Sequence, residues 1–228
     1  MFFELFESEW GELLYIPTEA GEALLTVLIG TCLLLAMVFT QMSGRNATVR
    51  KLLTCTACIG AGAALASVRP ITLANGGMVT LFSLLVVCLP GYFFGLGAGI
   101  LSGAAFGILQ IIIDPYLLTF PQIMVDYILA FAALGLSGIF AEKKWGLLKG
   151  YVLGVLGRYV FAVISGWIFF GEYAWEGWDP LSYSLAYNGS YIFIEMAITV
   201  VIILLPFVRK YLEKLKVYVN LEAESNFN

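Results

Sequence analysis

Three ionisable side chains lie inside long apolar runs of the sequence: Asp126, Arg158 and Glu195. Where such a run crosses a bilayer, each charge costs on the order of 3 kcal/mol or more, so the expected reason for it is pairing or function. A helical rise of about 1.5 Å per residue puts all three in the same half of the membrane, with Arg158 deepest. The sequence therefore predicts that the three side chains meet inside the protein.

Two carboxylates and one guanidinium leave such a site with one excess negative charge. A ligand with one positive charge would restore the balance, whereas an anionic ligand would make it worse. The alternative is structural, with Arg158 in a buried ion pair that holds helices together through one of the two acids. Residue types alone leave both interpretations open.

A stripe of residues around Arg158 favours a binding pocket. Gly154, Arg158, Ala162, Gly166 and Phe170 recur every four positions, which puts them along one side of a helix. Small side chains above a charge predict a groove with Arg158 at its floor and the Phe170 ring at its mouth.

The stretch after Phe170 is rich in aromatic rings and also carries the amide of Asn188. The rings are those of Tyr173, Trp175, Trp178, Tyr183 and Tyr187. Aromatic faces beside a carboxylate suit a flat cation, through stacking and cation–π attraction. Trp and Tyr also collect at membrane interfaces without binding a ligand, and that tendency explains some of these rings but not the charges beneath them.

The residues needed for common enzymatic chemistry are missing. The 228-residue sequence has no histidine and no G-x-x-x-x-G-K-[ST] phosphate-binding loop. The cysteines all fall in apolar runs, so the Cys55-x-x-Cys58 spacing indicates packing rather than redox chemistry. We therefore predict no enzyme activity, no cofactor, no metal site and no nucleic-acid partner.

Composition and hydropathy place these residues in a membrane. Hydrophobic residues make up 61% of the chain and charged residues 12%, with a mean hydropathy of +0.91, which is far from the values of soluble domains. Seven runs approach the length that crosses a bilayer core of about 30 Å: 22–42, 52–68, 77–94, 96–113, 122–141, 150–170 and 189–208. Because lipid offers the backbone no hydrogen-bond partners, each run is predicted to be an α-helix, and the chain an all-α integral membrane protein.

The basic residues are sorted to one side of the seven predicted helices. Arg69 lies at the opposite helix ends and Arg158 lies within a helix. The remaining ten share one set of ends: Arg45, Arg50, Lys51, Lys143, Lys144, Lys149, Arg209, Lys210, Lys214 and Lys216. The positive-inside rule then predicts a multi-pass protein of the cell membrane with its N-terminus outside and its C-terminus in the cytoplasm.

Small residues form one face of the run at 52–68. Ala57 and Ala61, with Gly60 and Ala64, would let another helix approach closely, and that helix belongs either to this chain or to a partner. The predicted organisation has three parts. They are an acidic segment with an extra transmembrane helix at 1–50, a membrane domain at 51–212, and a polar tail at 213–228 whose end is expected to be disordered.

Several stretches resemble a known family. NGGMVTLFS (75–83), IIDPYLLTFPQIMVDY (112–127), ALGLSGIF (133–140) and residues 157–191 are similar to the thiamine-binding S component of the energy-coupling-factor (ECF) vitamin transporters. The similarity covers about residues 52–210. It implies a six-helix S-component core, with the helix at 22–42 as an addition, that captures extracellular thiamine for a bacterium.

The resemblance also implies partners and site residues. A transmembrane coupling protein would dock on Ala57 and Ala61, and two cytoplasmic ATPase subunits would use ATP. Carried over by position, the family's binding residues fall on seven positions: Asp126, Tyr127, Arg158, Gly166, Phe170, Tyr183 and Asn188. Glu195 joins them from the charge argument.

Some positions depart from the family's pattern. Asp126 stands where the best-known members have the longer Glu, Ala162 where they have His, and Phe170 where they have Trp. The segment 69–77 lacks a Trp found there in those members, and Trp167 is expected to supply part of the missing ring area. Each change removes a contact, so a thiamine precursor or a related pyrimidine stays open as the ligand. A non-transporting membrane scaffold is the rival from another class.

Overall fold

The structure is a computed structural model that describes residues 3–7, 13–17, 45–116 and 119–224. The helices in these ranges are α1 (Arg45–Ala66), α2 (Ser83–Phe94), α3 (Leu96–Ile113), α4 (Phe120–Phe140), α5 (Gly146–Phe169), α6 (Pro180–Leu204) and α7 (Pro206–Glu224). Single turns of 3₁₀ helix lie at Ala74–Gly76 and Gly171–Tyr173. Two antiparallel hairpins join β1 (Phe3–Glu7) to β2 (Leu13–Pro17) and β3 (Ile71–Thr72) to β4 (Met78–Val79).

The helices confirm the prediction of an all-α integral membrane protein, with the two hairpins as small additions. Five spans in the described residues are long and apolar enough to cross a membrane: Val49–Ala66 within α1, and the whole of α3, α4, α5 and α6. The apolar α2 is shorter, at 12 residues. The predicted extra helix at 22–42 lies outside the described residues.

The predicted helix at 77–94 is only partly helical. Its first residues include β4 of the β3–β4 hairpin, and α2 begins at Ser83, so the helix is about 18 Å long rather than the length of a bilayer core. The Asn75–Gly76 pair causes the reversal, because both residues have positive φ, of 63° and 83°, which a tight turn requires. The hairpin lies over the end of the helical bundle.

The last predicted span, at 189–208, begins in the structure nine residues earlier, at Pro180, and ends at Leu204. Asp179 is the N-cap, and its carboxylate accepts hydrogen bonds of 3.1 Å from the backbone N–H groups of Leu181 and Ser182. Hydrogen bonding with Ser182 holds the pKa of this carboxyl below its ordinary value. The cap and the proline behind it start α6 within a stretch too polar to stand out as an apolar run.

The polar tail expected at 213–228 is helical as far as Glu224, because it belongs to α7. One side of α7 packs on the bundle. Lys216 donates to the Ala141 carbonyl at 2.6 Å and pairs with Glu142 at 2.8 Å, while Asn220 donates to the Phe93 carbonyl at 3.1 Å. Contacts of this kind hold the helix, which continues to Glu224 although disorder was predicted for the end of the tail.

The α4 helix departs from α geometry where the site residues lie. It is π-helical over Met124–Leu129 and 3₁₀ over Ala133–Phe140. A π segment adds a residue to the turn and is found mostly at functional sites. Here it includes Asp126 and Tyr127, and it sets the direction in which these side chains leave the helix.

Candidate binding site

Four of the helices and the β3–β4 hairpin enclose a cavity of about 400 Å³, a size typical of small-molecule sites. Its wall combines the hairpin, the segment from Gln110 to Tyr116, the first half of α4, the second half of α5 and the first half of α6. These parts lie at the helix ends opposite the ten clustered basic residues. Seven of the eight predicted site residues line it: Asp126, Tyr127, Arg158, Gly166, Phe170, Tyr183 and Asn188.

Arg158 forms the deep wall of the cavity. Its guanidinium carbon lies 4.1 Å from the centroid of the Phe131 ring, a cation–π contact. Among the described residues no carboxylate forms an ion pair with it, and its Nε and Nη1 are buried without a hydrogen-bond partner. The structural alternative, a buried ion pair that locks two helices, is therefore not what these residues form.

Asp126 lines the cavity from the π segment of α4. One carboxylate oxygen accepts a hydrogen bond of 2.7 Å from Gln122 Nε2, one turn earlier on the same helix. The same Gln122 amide donates to the Tyr116 carbonyl at 3.2 Å. Gln122 thereby fixes the direction of the carboxylate while leaving its negative charge in place, and a ligand can use that charge.

Aromatic rings form one side of the cavity. The Phe170 ring packs between Tyr116 and Tyr173, with centroid distances of 5.5 and 6.2 Å. The two tyrosine hydroxyls lie 3.2 Å apart. This cluster offers ring faces to a flat ligand, as the stripe through Arg158 and Phe170 predicted.

Two of three regularly spaced tyrosines on α6 hold the hairpin over the cavity. Tyr183, Tyr187 and Tyr191 recur every four residues, and the first two rings stack with centroids 5.4 Å apart. The Tyr187 hydroxyl accepts a hydrogen bond of 2.7 Å from Gly77 N, and the Tyr183 hydroxyl accepts one of 3.1 Å from Asn75 Nδ2. The hairpin is thus attached to α6 by these two bonds.

Gly166 and Asn188 bring α5 and α6 into close contact. A β-carbon at position 166 would overlap Ser184 Oγ and lie 3.0 Å from Asn188 Nδ2, so glycine is required at this crossing. Asn188 Nδ2 donates to the carbonyls of Ala162 and Ser184 at 3.2 and 3.0 Å, and Oδ1 accepts from Tyr191 at 2.7 Å. The Asn188 amide therefore braces the wall of the cavity that it lines.

Tyr127 also has a bracing contact. Its hydroxyl donates to the Asp114 carbonyl at 3.0 Å and accepts from Tyr116 N at 2.8 Å, so it orients the segment that follows α3. At the rim, Arg69 and Asp114 form an ion pair of 2.9 Å, and both residues line the cavity.

The structure separates Glu195 from the large cavity, contrary to the prediction. Its carboxylate accepts hydrogen bonds from Thr80 N at 2.9 Å, from Thr80 Oγ1 at 2.7 Å and from Leu84 N at 3.4 Å. It lines a second, smaller cavity behind Arg158. The depth estimate was too coarse to separate these two positions, because it ignored the direction in which each helix presents its side chains.

The tryptophans of the described residues do not line the cavity. Trp167 is 51% exposed on the outer surface of α5, so the ring area expected from it is not supplied. Trp175 packs edge-on against Tyr183, with centroids 5.2 Å apart, one layer outside the wall. The rings that line the cavity belong to tyrosines and phenylalanines.

Several lining residues escaped sequence reasoning: Arg69, Asn75, Gly77, Gln110, Asp114, Tyr116, Gln122, Phe131 and Tyr191. Two of these residues could have been predicted from their spacing in the sequence. Gln122 precedes Asp126 by four residues, and Tyr191 continues the spacing of Tyr183 and Tyr187, so both share a helix face with a predicted residue. The Arg69–Asp114 pair joins residues far apart in the chain and had no local signal.

A multi-pass membrane protein with a ring-lined cavity at one end of its helices belongs to the class that binds a small ligand within the bilayer. The comparisons agree. The chain belongs to the thiamine transporter protein family (Thia_YuaJ), whose pattern matches residues 52–216.

Two similar proteins support this family assignment. The thiamine transporter ThiT of Bacillus subtilis (strain 168) is 34% identical over 151 residues, which are 60% of this chain and 78% of that protein. The solved structure of ThiT from Listeria monocytogenes has the same fold, with a TM-score of 0.61 and 21% identity over 69% of this chain and 93% of that one. Because these relatives are transporters, the prediction that the chain is not an enzyme is confirmed, and the scaffold alternative is set aside.

Proposed function

We propose that the chain is the thiamine-binding S component of an ECF-type importer and that thiamine occupies the 400 Å³ cavity. The single observation that carries this proposal is the Asp126 carboxylate, oriented by Gln122 in a cavity walled by aromatic rings. Thiamine has one fixed positive charge and two flat rings. The site offers the matching chemistry, with a carboxylate for the charge and ring faces for the rings.

The charges around the cavity support a cation as the ligand. Arg69 and Asp114 neutralise each other at the rim. Deeper inside, Asp126, Glu195 and Arg158 together carry one net negative charge, and one bound cation balances it. An anionic ligand would add to the excess of negative charge in a poorly solvated site.

The proposal is tested by isothermal titration of the purified full-length protein with thiamine and, separately, with hydroxymethylpyrimidine, its uncharged pyrimidine half. We expect thiamine to bind with one site per chain and more tightly than the pyrimidine. Equal affinities would favour a pyrimidine precursor as the ligand, and no binding of either compound would overturn the proposal. Calorimetry is preferred to tryptophan fluorescence because the tryptophans of the described residues lie outside the cavity wall.

Phe170→Ala is expected to weaken thiamine binding by about 0.5–2 kcal/mol, roughly two- to 30-fold, because it removes the ring between Tyr116 and Tyr173. Trp167→Ala is the matched control, since it removes a larger ring three residues away on the outer surface of α5. Titration of both variants should show the loss for Phe170→Ala alone. A comparable loss for Trp167→Ala would show that the ring inside the cavity is not what matters.

Tyr187→Phe is expected to weaken thiamine binding by about 0.5–1.5 kcal/mol, because it removes the 2.7 Å hydrogen bond from Gly77 N and loosens the hairpin. The loss should appear in the dissociation rate, which stopped-flow mixing measures. Tyr159→Phe is the control, since its hydroxyl donates to the Leu185 carbonyl at 3.0 Å and Tyr159 does not line the cavity. An unchanged dissociation rate in Tyr187→Phe would contradict this role for the hairpin.

Partners and orientation complete the proposal. The cavity end faces outward and the basic helix ends face the cytoplasm of a bacterial cell, as the positive-inside rule favours. ATP is used by two ATPase subunits, reached through a transmembrane coupling protein that docks on Ala57 and Ala61. In support, both alanines are exposed on α1, and a β-carbon at Gly60 between them would meet no atom of the described residues within 4 Å.

A further inference from the structure

A second, smaller cavity of about 40 Å³ lies directly behind Arg158. It shares Arg158, Gln110, Phe131, Met78 and Tyr191 with the large cavity, so these residues form the partition between the two. Glu195 lines the far side of the small cavity and is 4% exposed. Arg158 therefore lines both cavities, the large one together with Asp126 and the small one together with Glu195.

Polar atoms around the small cavity lack partners in the part of the chain that the structure describes. Gln110, which is 9% exposed, has its Oε1 buried without a hydrogen bond, and Arg158 has two such nitrogens, Nε and Nη1. Leaving one buried polar group unsatisfied costs about 1–3 kcal/mol, and more if the group is charged. A water needs about 10–15 Å³ of such space and two to four polar partners, so the small cavity has room for about three or four waters.

We propose that ordered waters in the small cavity link Arg158 to Glu195 and Gln110, and that Glu195 is a positioning residue for the thiamine site. Held from behind by this link, the Arg158 guanidinium does not turn to pair with Asp126. The Asp126 carboxylate consequently stays available to the cationic ligand. This role rests on the proposed function, whereas the waters themselves do not depend on it.

The geometry gives Glu195 this role because its other contacts are fixed. Three hydrogen bonds from Thr80 and Leu84 hold the carboxylate in place, so its charge stays behind Arg158. Both carboxylates act electrostatically on the same guanidinium. Removing the charge of Glu195 leaves Asp126 as the stronger attraction, and an Arg158–Asp126 pair would then neutralise the counter-ion that the ligand needs.

The first test is the affinity of Glu195→Gln, which keeps the shape and the ability to accept from Thr80 but removes the charge. We expect thiamine affinity to fall about tenfold or more, the scale of a charged hydrogen bond, while the affinity for hydroxymethylpyrimidine changes clearly less. If Glu195 had a purely structural role, the substitution would lower the affinity for both ligands alike, and that result would overturn the proposal. Thr199→Val is the control, because Thr199 is buried one turn further along α6 and lines neither cavity.

A double-mutant cycle tests the route through Arg158. In an Arg158→Gln background, Glu195→Gln should have little further effect on thiamine affinity, since no guanidinium remains to be held. Full additivity of the two losses would contradict the role. If every variant is folded by circular dichroism and thiamine does not bind even the wild type, the proposed function fails instead.

The second test is independent of thiamine. A high-resolution crystal structure of the ligand-free protein should show ordered waters bridging Arg158 Nη1, Gln110 Oε1 and Glu195, and Glu195→Gln should move the guanidinium toward Asp126. A dry small cavity, or an Arg158–Asp126 ion pair in the wild-type protein, would overturn the inference.

Discussion

Replacing Asp126 with asparagine is expected to weaken thiamine binding by about 1.5–3 kcal/mol, which is roughly ten- to 150-fold in Kd. The substitution keeps the size of the side chain and one oxygen that can accept the 2.7 Å hydrogen bond from Gln122. What it removes is the negative charge that faces the ligand. Titration calorimetry of the purified variant with thiamine measures the loss.

The uncharged pyrimidine half of thiamine separates charge from shape. If Asp126 acts through its charge, hydroxymethylpyrimidine should lose clearly less affinity than thiamine in the same variant. Asp179→Asn is the matched control, since asparagine caps a helix about as well as aspartate and position 179 is outside the cavity. Equal losses for the two ligands would refute the cation interpretation of the site.

Charges in apolar runs were the most informative feature of the sequence, because a membrane leaves few reasons for them. Asp126 and Arg158 are two such charges, and both line the cavity. The residues that recur every four positions through Arg158 and Phe170 predicted a charge and an aromatic ring on one helix face. These inferences used local sequence and the regular geometry of a helix, which the structure retains in α5.

The predictions from sequence failed where contacts between distant residues or irregular backbone determine the structure. Glu195 has the same signal as Asp126, yet Thr80 and Leu84, more than a hundred residues earlier in the chain, hold it behind Arg158. Strand β4 was hidden in the apolar run at 77–94, although the Asn75–Gly76 turn before it was a readable signal. The helical form of the tail depends on contacts of Lys216 and Asn220 with distant residues, which composition does not reveal.

Thiamine binding and docking of the coupling protein are proposed for different surfaces, so a mutation can affect one without the other. The cavity end contains the groups proposed to hold thiamine, and the exposed small-residue face of α1 is the surface proposed for the coupling protein. Cys58, Gly62 and Ala66, on the opposite side of α1, are buried against the bundle, which leaves Ala57, Ala61 and Ala64 turned away from it. A change on that exposed face need not disturb the cavity.

Ala57→Trp and Ala61→Trp are accordingly expected to abolish thiamine uptake by cells while leaving the Kd of the purified protein for thiamine unchanged. Small side chains let helix backbones approach closely in a membrane, where packing rather than the hydrophobic effect holds helices together, and an indole ring in the contact holds them apart. Uptake of radiolabelled thiamine measures the first quantity and calorimetry the second.

Leu101→Trp is the control, since Leu101 is 68% exposed on α3, and it should leave both quantities unchanged. Normal uptake by both alanine variants would exclude this face of α1 as the docking surface, and a raised Kd would show that the face and the cavity are not independent.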